Sequence, residues 1–215
     1  MKNNIGLRII VTIIGLLILA HGIAFAINSN LGITPVHSTA YTIYFLNRFT
    51  VGTNVMFFFI FLVFLQMLVL GKKFKFWEFY QVPLAVLFGY FVDFALWNLH
   101  WINVNTYFGQ LFLLCFSIIF MPLGIVTYLH PNLIKMPPEG TVLAFVERFG
   151  VPFHKVKLSF DMSITITAVI LSLIFIRSIY SVREGTVILA LTIGRLIPHM
   201  KKLVNFTFGK LKIEF

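Results

Sequence analysis

Asp93, Asp161 and Arg195 stand within or at the edge of long apolar runs. A charge at the centre of a bilayer costs about 2.5–3.5 kcal/mol on insertion scales, so each is a candidate for exchanging a proton or holding a polar solute. At about 1.5 Å of rise per residue, Asp93 lies deep along its run, whereas Asp161 and Arg195 both sit within about 10 Å of the basic end of theirs. His37, Asn54 and Asp93 then form one expected polar cluster, and Glu139, Asp161 and Arg195 another on the opposite side. Two such clusters suit the outer and inner gates of an alternating-access transporter. A titratable member of each, His37 or Asp93 in the first and Asp161 or Glu139 in the second, would couple the cycle to protons. The plainer reading has Arg195 snorkelling to the interface, Asp161 pairing with Lys157 and Asp93 reaching outer water. His21 and Gln66 lie deeper still, as candidates to bond either a solute at the midplane or a neighbouring helix.

Enzymatic chemistry has no comparable support. There is no His-Glu-x-x-His, no Gly-x-Ser-x-Gly, no phosphate loop and no paired metal-ligand spacing, so no catalytic residue, metal or cofactor is expected. The lone Cys115 falls in the middle of an apolar run and is expected as a small core residue. The net charge of +10 comes from Lys and Arg scattered over separate loops, which fits anionic lipid headgroups and not nucleic acid.

What must position these residues is a membrane fold. With 59% hydrophobic residues, 26 Phe and 11% charged residues, the chain has too little polar surface to cover a soluble globule. Runs near the roughly 20 residues that cross a hydrocarbon core are expected as spans at Ile9–Ile27, Val55–Leu70, Trp77–Leu99 and Tyr107–Leu129, with weaker ones at Leu158–Ile179 and Gly185–Met200. Lys2 and Arg8 before the first run, and Ala24-Phe25-Ala26 within it, imitate a secretory signal, but the run is long for one and is read as a span. A cytoplasmic N-terminus places most of the 17 basic residues inside, leaving Arg48, Arg177 and Arg183 outside, so both termini are expected in the cytoplasm of a cell-membrane protein.

The chain is also written twice. His21-Gly22-Ile23, Asn30-Leu31, Pro35 and Thr39 run in step with Leu123-Gly124-Ile125, Asn132-Leu133, Pro137 and Thr141. Three spans per copy, about 7–99 and 107–200, force the second copy to be inverted; a basic tail, 201–215, follows, and the whole is one polytopic domain, 1–215. After the first span of each copy the chain breaks, at Asn28–Pro35 and His130–Pro138, and resumes as an apolar stretch too short to cross, Ser38–Leu46 and Gly140–Phe149. Each is expected as a short interfacial or re-entrant helix, since irregular backbone at membrane depth survives only against protein or a watery cavity. Asn30 and Thr34 in the first break join the substrate-binding or gating candidates. Ala20, Gly22 and Ala24 on the first span, with Gly185 and Gly194 near the last, are small residues suited to close helix packing or to docking a partner.

The ordered set Ser29-Asn30-Leu31-Gly32-Ile33-Thr34-Pro35, Phe49-Thr50-Val51-Gly52-Thr53 and Arg183-Glu184-Gly185-Thr186-Val187, with Gly194, resembles the YitT/YczE-like bacterial integral membrane proteins. Val36, where an aromatic often follows the Pro, and the third span, without a Gly-Thr start, depart from that pattern. The resemblance implies the span order and a transport role without a substrate. The expected function is a secondary small-solute transporter. The alternatives are a solute-capturing subunit that docks on an ATPase-driven uptake complex through the Ala20–Ala24 strip, or an accessory membrane protein without transport. A homo-oligomer is compatible with all three.

Overall fold

The computed structural model describes residues 5–178 and 180–210, as eight α-helices joined by short turns. Lys2, Ile179 and Lys212, which figured in the expected spans and basic clusters, lie outside the described residues. The helices are α1 (Ile5–Ser29), α2 (Pro35–Tyr44), α3 (Val51–Leu70), α4 (Gln81–Asn98), α5 (Tyr107–Leu129), α6 (Pro137–Phe149), α7 (Phe153–Leu171) and α8 (Glu184–Lys210). Five stretches are long and apolar enough to cross a membrane: α1, Val51–Lys73, Phe76–Asn98, α5 and Phe153–Ile176. The protein is thus an all-helical, multi-pass membrane protein. The sixth expected span falls in α8, which has the length but not the apolarity, because Arg195, His199, Lys201 and Lys202 crowd its second half.

Element boundaries shift for local reasons. The third expected span opens as a 3-10 turn over Phe76–Tyr80 before α4 takes over at Gln81, two residues ahead of Pro83 in its first turn. The fifth begins earlier than expected, at Phe153 directly after Pro152, and closes through a wide π turn over Ser172–Ile176 that ends on Arg177 in the left-handed region, φ 58°.

The chain folds into two compact units, each drawing on segments from both halves of the sequence. The first comprises Met1–Thr34, Phe94–Leu133 and Arg183–Phe215, with α1, α5 and α8 as its main helices. Glycine sets the α1–α5 contact. A Cβ on Gly15 would strike the backbone nitrogen of Tyr128, one on Gly22 would lie 2.8 Å from that of Met121, and one on Gly124 would strike that of Leu19. Such backbone-to-backbone approach is what small residues permit between membrane helices. Gly22 meets Met121 and Gly124 meets Leu19 on the two facing helices. Both helices then end alike, at Asn30 (φ 54°) and Asn132 (φ 48°), and arginines bind the freed carbonyls: Arg183 Nη1 donates to Asn30 O at 2.7 Å, Arg8 Nε to Pro131 O at 3.0 Å.

The second unit comprises Pro35–Asp93 and Ile134–Val182. Its frame is the two short helices against two long ones: α2 packs on α3 and α7, α6 on α3 and α7. Pro35 and Pro137 open α2 and α6 where no intrahelical N–H is required. Thr39 Oγ1 on α2 donates to Ile164 O on α7 at 2.9 Å, and Thr141 Oγ1 on α6 donates to Leu62 O on α3 at 3.4 Å. Ser38, Thr42 and Thr141 are wholly buried, so both short helices lie within the packing of this unit.

Candidate functional site

Within the second unit, α2, α3, α6 and α7 surround a cavity of about 980 Å³, close to the upper end of the roughly 300–1,000 Å³ of small-molecule sites. Its walls are aromatic, with Phe57, Phe58 and Phe61 from α3 and Phe145 and Phe149 from α6. One side differs. Lys155, Ser159, Ser163 and Thr167 follow one another at every fourth residue of α7, a spacing that keeps them on one helix face, and all four line the cavity. Lys155 is the one charged residue in that lining. Asn47 and Asn54 also line it and bond each other, Asn47 Nδ2 to Asn54 Oδ1 at 2.6 Å.

Of the candidates read from sequence, Asn54 alone reaches this cavity. The expected first cluster is divided. Asn54 Nδ2 donates to Thr50 O at 2.8 Å, and Thr50 Oγ1 donates to Asp93 Oδ2 at 2.5 Å, so Thr50 joins these two. His37 packs between the rings of Phe59 and Phe88, with centroids at 5.8 and 6.2 Å. Asp93 also accepts the N–H of Gly52 at 2.7 Å, where its negative charge meets the free donors and positive end of α3. Gly52 is required there, because a Cβ would strike Gly89 O and crowd the Asp93 carboxyl. Asp93 thus fixes the start of α3 on α4. Asp93→Ala is expected to cost about 1–3 kcal/mol by orphaning these donors, read as a lower melting temperature of the purified protein. Asp93→Asn, which keeps one acceptor for Gly52, is expected to cost less; equal melting of Ala variant and parent would contradict the role.

The second expected cluster is divided as well. Asp161 takes Lys157 Nζ at 2.6 Å on the same helix, the plainer of the two readings. Glu139 occupies the first turn of α6. Arg195 belongs to α8 of the first unit, exposed, with its carbonyl against the ring of His199 at 3.2 Å. Asn30 turns the chain and offers its carbonyl to Arg183, and Thr34 is buried at the end of the first unit. Beside them, backbone hydrogen bonding at the α8 N-terminus, followed by the Arg183 guanidinium at 3.0 Å, holds the Glu184 carboxyl below its usual range.

The two deep candidates bond neighbouring helices. The His21 ring stands 2.9 Å from Leu17 O at Nδ1 and 3.3 Å from Asn98 Nδ2 at Nε2, which fits the neutral tautomer donating from Nδ1. Gln66 exchanges two hydrogen bonds with Gln81, at 3.0 and 3.1 Å, and donates to Pro137 O at 3.1 Å. Gln81 in turn donates to Glu78 Oε2 at 2.6 Å. Ala20 and Ala24 are fully buried and Gly22 is spent on α5, so the strip offers no surface for docking. Gly185 packs closely, its N–H donating to Leu31 O at 2.8 Å. Gly194 does not belong with these packing glycines, since a Cβ there would meet open space.

The sequence reading missed the cavity wall. Composition does not separate its Phe residues from lipid-facing ones, and Lys155 is one of many Lys and Arg scattered along the chain. The signal was the four-residue spacing of Lys155, Ser159, Ser163 and Thr167 along α7.

No curated protein and no solved structure is similar enough to this chain to count as a match. Residues 6–202, nearly the whole length, match a family of unknown function, DUF6198, and the chain belongs to that family.

Proposed function

We propose that this protein is a secondary transporter of small solutes, with six spans in two inverted repeats and both termini in the cytoplasm of the cell membrane. The cavity among α2, α3, α6 and α7 carries the proposal. It is bounded by the two short helices that interrupt the span pattern, the place where broken helices bind cargo in inverted-repeat transporters. The inversion draws support from the reciprocal contacts, Gly22–Met121 with Gly124–Leu19 and Thr39–Ile164 with Thr141–Leu62, each pair exchanging the same partners between copies. The distribution of Lys and Arg supports the orientation, and the resemblance to YitT/YczE-like proteins agrees with the span order. In this reading α8 completes the second repeat as a sixth span, with Arg195 and the lysines beyond it reaching for the interface. Burial of Ala20 and Ala24 removes the feature that favoured docking on an ATPase complex.

The test is uptake by liposomes that contain this chain alone, under a proton or sodium gradient, against a panel of labelled metabolites and amphiphiles. Gradient-dependent accumulation of any member is the expected result. A chain that binds or moves none of them, folded and correctly inserted, is not a transporter. Stimulation by a proton gradient, lost in Asp161→Asn, would make the Lys157–Asp161 pair the proton-exchanging group; loss of melting stability without loss of coupling would make it structural.

A further inference from the structure

On α7 two stripes of polar residues run side by side at four-residue spacing, and they differ in one respect. In the first, the members satisfy one another: Lys157 pairs with Asp161 at 2.6 Å, and Thr165 Oγ1 donates to Asp161 O at 2.8 Å. In the second, Lys155, Ser159, Ser163 and Thr167 all face the cavity. Among the described residues the ion pairs are Lys157–Asp161 and Arg183–Glu184, so the cation at the head of this stripe is left without an anion. Ser159 Oγ makes no hydrogen bond among the described residues. Ser163 and Thr167 donate to the carbonyls of Ser159 and Ser163, at 2.8 Å each. Those carbonyls sit within the helical ladder of α7, so a hydroxyl can turn its proton toward a cavity ligand at little cost.

The shape limits what such a ligand is. Lys155 and Leu171 both line the cavity, and the sixteen-residue step from one to the other along α7 spans about 24 Å, most of the roughly 30 Å of a hydrocarbon core. A long volume walled mainly by phenylalanine, with a stripe of hydroxyls along α7 and one cation at one end, matches a chain with an anionic head, and a compact polar solute would leave the aromatic wall unused. Phe57 is half exposed and Phe61 more than half, so on that side the cavity opens outward to the surroundings of α3.

We propose that the cargo of this cavity is a single-chain amphiphile with an oxyanion headgroup drawn from the bilayer. Lys155 receives the headgroup, Phe57, Phe58 and Phe61 hold the chain, and Ser159, Ser163 and Thr167 are the track along which the headgroup crosses. The inference rests on the transporter reading and names its substrate class.

The experiment uses phosphatidylcholine vesicles containing the full chain. Two tail-labelled fluorescent probes are compared, lysophosphatidic acid and its zwitterionic counterpart lysophosphatidylcholine. Transfer from the inner leaflet is read by dithionite quenching, and the metabolite panel is run on the same vesicles. The anionic probe is expected to cross at least about fivefold faster than the zwitterionic one, the factor that one partly exposed charge contact supplies. Lys155→Gln should erase that preference and Lys155→Arg should keep it. Ser163→Leu should slow both probes in protein that melts like the parent. Equal rates for the two probes, or an unchanged preference in Lys155→Gln, would overturn the proposal. If panel metabolites accumulate while neither probe moves, the substrate class is wrong and the transporter reading stands; if nothing moves, both fall.

Discussion

Gly124→Ala is expected to destabilise the first unit by about 3 kcal/mol. The added Cβ would overlap the backbone nitrogen and Cα of Leu19, atoms that no side-chain rotation moves aside. Relief requires α1 and α5 to separate along a contact also held by Gly15 and Gly22. Overpacking a close-packed interior costs about 1–3 kcal/mol and occasionally more, and a backbone clash belongs at the upper end. For a chain of this size, about 3 kcal/mol corresponds to a fall in melting temperature of roughly 6–12 °C. Circular dichroism of the protein in detergent or nanodiscs reads this directly. Gly194→Ala is the matched control: it meets open space, and alanine is the better helix former by up to about 1 kcal/mol, so its melting should stay level or rise. Should Gly124→Ala melt within about 2 °C of the parent, the close α1–α5 approach is wrong, and with it one of the two contacts that support the inverted repeat.

That interface shows how much the sequence disclosed. Gly22 and Gly124 were visible as matched letters in two copies, and Asn30 and Asn132 as matched breaks. Both pairs are local requirements, one for close approach and one for a left-handed turn, and such requirements leave a mark on residue type. The short helices were legible for the same reason, since Pro35 and Pro137 announce where each begins. The contacts of Asp93 were not legible. Charge within an apolar run signals only that a partner exists, and depth along the run could not reveal that the partner is the start of α3, reached through Thr50 and Gly52. Asp161 likewise could be drawn toward Arg195 by depth alone, although Lys157 one turn away satisfies it. The cavity was the least legible feature. Phenylalanine is equally at home against lipid and against a ligand, and only the packing of α3, α6 and α7 decides which of the 26 in this chain line a binding space. The hydroxyl stripe was the one sequence trace of that space, because four polar residues at helical spacing in a span have no use on a purely lipid-facing surface.

Gln66→Leu is expected to cost more than Gln66→Leu combined with Gln81→Leu, although the double variant removes more hydrogen bonds. Gln66 is 1% exposed, and its carboxamide exchanges two hydrogen bonds with Gln81 while donating a third to Pro137 O. In the single variant the Gln81 carboxamide stays buried against leucine with its partner removed, and an unsatisfied buried polar group costs about 1–3 kcal/mol. Pro137 O fares better, since Thr141 Oγ1 also donates to it at 2.8 Å. In the double variant the orphaned amide is gone. Glu78, half-buried, loses only the Gln81 donor, which water can replace. Melting curves of the parent, both single variants and the double should therefore give a coupling energy of about 1–2 kcal/mol in the cycle, with the double variant above Gln66→Leu. Hydrogen bonds between membrane helices average only about 0.6 kcal/mol in such cycles, so additive losses would mean that this pair is ordinary and that α6 is held by packing alone. A coupling of the expected size has a functional consequence. Gly140 lies against both carboxamides, with a Cβ there reaching 2.7 Å from Gln66 Oε1 and 2.8 Å from Gln81 Oε1, so the pair is the seat on which α6 starts. The far end of α6 supplies Phe145 and Phe149 to the cavity. If the cavity carries a solute as proposed, loosening the seat should raise its exchange rate while weakening its hold, a split between turnover and affinity that a loss of folded protein cannot imitate.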